Sequence, residues 1–284
     1  SYDTTSKAIT TAGAIQLNIA SGGSVKFNAS KTMNLGSGTN LATFDTNTVP
    51  PTQLTAYNGM VWDGDFYLTL GTVQINGGNI QGSGKIYVDG GGTFSQRLNF
   101  NSPDIANNVD VSGSLTLSAA SGGSIKLNGQ ITGNGFIQNT GSGGVVLACP
   151  ITGPGELTKA YDGDILLTGN NDFSLGLVIQ DAGTVYVTNT NSLGIGPLVA
   201  DSVNSRIGLH SSSTENSITI TNPVNTATTN TNGTTNYNTM AFAPGTNSLG
   251  VARTIVLESI VTNVGSLKVS GGGNLHVNNT GNNY

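Results

Sequence analysis

Glycines 113, 123, 133, 143, 153 and 163 stand ten residues apart, and a short apolar pair or triplet follows each within a few positions. A ten-residue step has room for one short strand and one turn, and too little for a helix of ordinary length. Around these steps the apolar residues alternate with polar ones. Clear cases are Ile15-Gln16-Leu17, Val25-Lys26-Phe27, Leu115-Thr116-Leu117, Ile125-Lys126-Leu127, Val185-Tyr186-Val187 and Leu275-His276-Val277. No window long enough for an amphipathic helix keeps its apolar positions at helical spacing. The chain is therefore expected to be all-β.

Longer self-similarity narrows the fold. Ile80-Gln81-Gly82-Ser83-Gly84-Lys85-Ile86, Ile131-Thr132-Gly133-Asn134-Gly135-Phe136-Ile137 and Ile151-Thr152-Gly153-Pro154-Gly155-Glu156-Leu157 share one pattern, and Val261 to Leu267 is a degenerate copy. Residues 21–28 recur almost letter for letter as 121–128. A period of roughly 20 residues indicates a solenoid, in which each coil covers the apolar face of its neighbour. A right-handed parallel β-helix (β-solenoid) over residues 1–284 accounts for this better than a β-sandwich, which needs no internal repeat. Composition agrees, because Gly (41) and Asn (34) suit tight corners and stacked Asn or Thr can form ladders. Two stretches depart from the pattern and are read as irregular loops, one near 45–64 with Pro50-Pro51 and one over 211–248, rich in Ser, Thr and Asn.

The charge balance excludes several classes. Only 9% of residues are charged, and 10 Lys+Arg stand against 15 Asp+Glu. This is no basic surface for nucleic acid. No apolar run is long enough to span a bilayer as a helix. Cys149 is the single cysteine, so an internal disulfide or a Cys-rich zinc site is impossible. Low charge with abundant Thr, Asn and Gly points to an extracellular or cell-surface, secreted protein. Ser1 without a leader and a final stretch, 273–284, that reads as half of a further unit suggest a processed form or a piece of a longer protein.

From Ile151 onward the chain resembles the autotransporter-associated β-strand repeat of bacterial surface proteins. The residues that carry the likeness are Gly153, Gly155, Leu157, Thr158 and Lys159, then Gly163, Ile165, Leu167, Gly169, Asn171 and Phe173, then Gly183, Thr184, Val185 and Val187, and last Asn191, Leu193 and Gly194. The match is good over 151–194, partial copies extend over 79–94, 115–209 and 254–284, and residues 1–78 match in style only. The resemblance implies a parallel β-helix exposed on the cell surface or released from it, and no particular activity.

Few residues offer chemistry. Asp63-Gly64-Asp65 and Asp162-Gly163-Asp164 put two carboxylates on one side of a strand, where they could chelate a cation or act as acid and base; as turns they would do neither. Trp62 lies beside the first triplet, followed by Phe66 and Tyr67. Aromatic rings next to carboxylates form carbohydrate platforms, so Trp62, Asp63, Asp65 and Tyr67 are the candidate ligand-binding residues; the opposing reading places these rings in the core. No catalytic residue, metal site or cofactor is expected. The sequence thus predicts a non-enzymatic structural or adhesive surface solenoid, self-associating end to end or stacking on neighbouring repeats of a longer chain, with a glycan-binding or glycan-cleaving solenoid as the alternative.

Overall fold

Ile131 lies opposite Ile151, Val109 opposite Ile131 and Ile86 opposite Val109, all in parallel register. The chain thus returns to the same place after roughly two of the glycine steps. In the computed structural model, which describes residues 2–3, 20–35, 60–75, 79–96, 103–229, 235–262, 265–279 and 281, this repetition builds a parallel β-helix of about nine turns. At the spacing of hydrogen-bonded strands, nine turns give a rod of roughly 40 Å.

Each turn has three sides. The first face stacks the start of Asp65–Ile75 with Ile86–Val88, Val109–Val111, Ile131–Thr132 and Ile151–Thr152. The second runs from the end of Asp65–Ile75 through Ser114–Ala119 and Glu156–Lys159 to Val261–Thr262. The third runs from Met60–Val61 through Ser124–Leu127 and Val185–Val187 to Ser266–Val269. Above Ile151–Thr152 the first face is interrupted by the 3-10 turn Thr190–Leu193, and it resumes as Ser217–Ile220, Thr254–Leu257 and Asn274–Val277. No helix of the described residues is long and apolar enough to cross a membrane.

Alternation decides what fills the rod. Along the third face Ile125, Val145, Ile165, Val185, Ile207 and Phe242 form one inward column, none more than 1% exposed. Each such side chain contributes about 1.5–3 kcal/mol relative to an exposed one. One continuous apolar cluster extends from Met60 to Val261, and Cys149 belongs to it as a small core residue whose thiol burial pushes up to about 12.

The repeated sequence motif turns out to be a corner and not a coil. Ile80–Ile86 joins the third face to the first, Ile131–Ile137 and Ile151–Leu157 join the first to the second, and Val261–Leu267 joins the second to the third, with 263–264 outside the described residues. The near-identical copies behave the same way: residues 121–128 lead into the third face and 21–28 into the first, with Gly22 at φ 76° and Gly122 at φ 77° in the same turn. The wide gap between the copy at Ile80 and the next at Ile131 follows, since it spans a whole number of corners and no whole number of coils.

The two expected irregular stretches need correction where they are described. Residues 60–64 belong to the rod, with Met60–Val61 in the third face, and 45–59 lie outside the described residues. Residues 211–248 are no single loop: they contain Ser217–Ile220, Val224–Asn225 and Thr239–Ala243 in the stacked faces. What protrudes is an antiparallel hairpin, Ala227–Thr229 against Thr235–Tyr237, and a short turn closed by the Thr246 and Ala252 bridge.

Candidate functional site

The segment from Met60 to Leu68 follows strict alternation. Met60, Trp62, Phe66 and Leu68 point inward and are at most 1% exposed, while Asp63, Asp65 and Tyr67 point outward. Trp62 is therefore not available to a sugar. Its ring stacks on Phe66 inside the rod, with centroids 4.5 Å apart. The core placement weighed for this ring in the sequence holds, and the platform role does not.

The outward residues are brought together, but on one another. Tyr67 lies opposite Tyr87 of the next coil, and their rings stack at 4.8 Å and 9°. Lys85 places its Nζ 5.3 Å from the Tyr87 ring centroid and pairs with Asp110 Oδ2 at 2.8 Å. Hydrogen bonding to Asp110 raises the Lys85 pKa, and partial burial, followed by the charges of Asp65, Tyr87 and Asp89, raises that of the Tyr67 phenol. Each tyrosine thus spends one ring face on its neighbour. The pair is therefore a ladder that ties two coils together.

The carboxylates of the triplet act as staples. Asp63 Oδ1 accepts from the Ser83 amide at 3.2 Å and Asp65 Oδ1 from the Lys85 amide at 2.9 Å, both one coil on. The second triplet repeats the device: Asp164 Oδ1 accepts from the Thr184 amide at 2.6 Å. Asp172 and Asp181 reach the opposite way, to the amides of Gly153 and Tyr161. Corner backbone that has left the strand ladder must find partners, and side-chain oxygens supply them. Inside the rod asparagine amides do the converse. Asn107 Nδ2 donates to the carbonyls of Trp62 and Gly84 at 2.9 and 2.8 Å, and Asn222 Nδ2 to those of Gly194 and Gly196. Among the described residues no three His, Cys, Asp or Glu side chains gather as metal ligands.

Lys159 is the deepest charge. It is fully buried, directly opposite Asn139 in the strand below, and its Nζ donates to the carbonyl of Tyr161, a residue at φ 62°. Desolvation lowers its pKa, against the opposing influence of Asp164, Asp181 and Asp162. A lysine whose folded pKa lies below its unfolded value loses its proton first in the folded state. Stability then rises with pH from that folded pKa up to the ordinary 10.5, while below it the charged amine carries a constant cost. The difference in urea midpoint between wild type and Lys159→Met is expected to move in favour of wild type as pH is raised from 8 to 10.5. A pH-independent difference would refute the buried, depressed amine.

No protein-family model, curated protein or solved structure matches this chain. The repeat must therefore be judged on what its residues do. Leu157, Ile165, Leu167, Phe173, Val185, Val187 and Leu193 are core; Gly153, Gly155, Gly163 and Gly169 lie directly over the backbone carbonyls of the coil below. Asn171 accepts from the Ile151 amide and donates to the Ser192 carbonyl, and Lys159 serves a corner. These positions hold the coil together.

The structure adds two features. The last described coil leaves inward-pointing side chains uncovered, with Val269 44% exposed and Leu267, Leu275 and Val277 only partly buried. Tyr186 lies opposite Gly208 on the third face. Its outward slot is legible from Val185-Tyr186-Val187. Its neighbour is not, because the coil from Val185 to Ile207 runs longer than the one from Ile165 to Val185 and no local pattern announces the difference.

Proposed function

We propose that this chain is a non-enzymatic, extracellular or cell-surface β-solenoid, a structural and adhesive rod that docks end to end with further coils of its own kind. The observation that carries the reading is the uncovered last coil. Val261–Thr262, Ser266–Val269 and Asn274–Val277 are the outermost members of their stacks, so one edge of each has no strand partner among the described residues. The side chains beneath them continue the inward columns of Phe242, Ile255 and Leu257. Proteins usually guard such edges with charge or a cap, and from 259 to 284 the sequence has Lys268 as its one charged residue. A further coil supplies strand partners and covers the apolar ends together. The surface location is supported by the scarcity of charge and by the resemblance of residues 151–194 to the autotransporter repeat.

The occupant is expected to be a second copy when the chain is studied alone. Sedimentation velocity should show the mean size rising with concentration, and images should show rods joined along their axes. Val269→Lys, at a position already 44% exposed, and Leu275→Lys, in the outermost layer, put charge on the open end and should hold the chain as single rods with an unchanged circular dichroism spectrum. Wild-type chain that stays monomeric at every concentration, or association that both variants preserve, would refute docking at this end.

A further inference from the structure

On the third face one aromatic ring is laid out differently from the tyrosine ladder. Tyr186 lies opposite Gly208, and a Cβ on Gly208 would come within 3.2 Å of both Cδ1 and Cε1 of the ring. The ring therefore leans over the neighbouring strand into the space a side chain would need, and no second aromatic of the described residues lies flat against it. His210 meets it edge to face at 5.6 Å and 76°. The Ser212 amide donates to His210 Nδ1 at 3.2 Å and the Ser212 hydroxyl lies 2.7 Å from the same nitrogen, which leaves Nε2 as the ring's donor. Arg206 is the exposed outward residue on the other side of Gly208, with no ion pair among the described residues. Lys268 continues the same outward column through Ala241, two strand spacings or roughly 10 Å away.

Charge is distributed to match. Residues 1–201 hold 13 of the 15 acids, whereas 202–284 hold Glu215 and Glu258 against Arg206, Arg253 and Lys268. Arg253 is buried on the carbonyls of Leu209 and His210, so Arg206 and Lys268 are the cations this acid-poor end presents, and both lie in the outward column beside Tyr186. The hairpin ending at Tyr237 and the turn with Leu249 and Val251 leave from the two ends of Thr239–Ala243, the strand stacked on that of Gly208. Insertions that flank one solenoid face are where such proteins place binding surfaces.

We infer that the outward third face around Tyr186, Arg206 and His210 binds an acidic polysaccharide, with a sugar ring on Tyr186, a carboxylate on Arg206 and a hydroxyl accepting from His210 Nε2. A planar guanidinium takes a carboxylate through two parallel hydrogen bonds, and an aromatic face takes the apolar side of a pyranose. Lys268 meets the charge of a later sugar in the chain. This rests on the adhesive part of the reading above and is independent of end-to-end docking.

Calorimetric titration of the full chain with oligogalacturonate, its methyl ester and a single-stranded oligonucleotide tests it. The acid is expected to bind more tightly than the ester. Tyr186→Ala should weaken binding about tenfold and Tyr186→Phe should not. Arg206→Gln should remove the preference for acid over ester. The end-blocked Leu275→Lys chain, changed on the first face, should bind as wild type does, so that loss of docking and loss of this site are told apart. No binding of the acid, binding unchanged in Tyr186→Ala, or tighter binding of the oligonucleotide would each overturn the proposal.

Discussion

Gly163→Ala is expected to cost ~3 kcal/mol or more, although it adds one methyl group. A Cβ at this corner would overlap the carbonyl oxygens of Gly143 and Gly141 in the coil below. Backbone cannot swing aside as a flexible side chain can, so two coils would have to separate and every strand bond between them would lengthen. Gly122→Ala is the contrasting case. A Cβ there meets nothing within 4 Å, and the cost is that of a left-handed φ of 77°, about 1–2 kcal/mol. Denaturant unfolding of both variants separates the two causes. Gly163 itself has no left-handed φ, so a loss no larger than that of Gly122→Ala would mean that the coils yield to the added methyl group and that the close carbonyl approach is not what requires glycine here.

Trp62→Ala should be as damaging, at about 3–5 kcal/mol, the range for a large aromatic removed from a core. The ring is fully buried, stacks on Phe66, and stands where the Asn107 amide binds the Trp62 carbonyl. Its fluorescence should be blue-shifted and poorly quenched by iodide in the folded protein. An accessible ring whose removal left the melting temperature unchanged would restore the glycan-platform reading of this segment.

Much of the fold was legible because a strand has a period of two and a coil made of two even steps leaves its signature in glycine spacing. The fate of Trp62 was legible in the same way. Met60, Trp62, Gly64, Phe66 and Leu68 share one parity, and Asp63, Asp65 and Tyr67 share the other. Grouping Trp62 with Asp63 set proximity in sequence above alternation, which sends neighbours to opposite sides of a sheet. The number of faces was not legible, since the same corner sequence serves wherever the chain bends. Neither was the contact of Tyr186 with Gly208, nor the pairing of Lys85 with Asp110. Such contacts depend on the summed length of intervening turns, and the coils here are uneven, as the partners Ile131 with Ile151 and Val224 with Val261 show. Residues 211–248 misled for a related reason. Their polar composition belongs to the hairpin and turns, while the short strands between them, such as Ser217–Ile220, follow alternation like any other.

The corner shared by all three edges separates two properties that most folds bind together. Cross-section is set by the inward columns and cannot vary without disturbing every layer. Length is open, because a duplicated or excised stretch from one corner glycine to its counterpart, such as Gly133 to Gly153, delivers a layer with matching ends. Genes for such a rod can change its reach by whole layers while each surviving layer keeps its neighbours' geometry, so a shaft and the surface features it carries can be tuned independently in evolution.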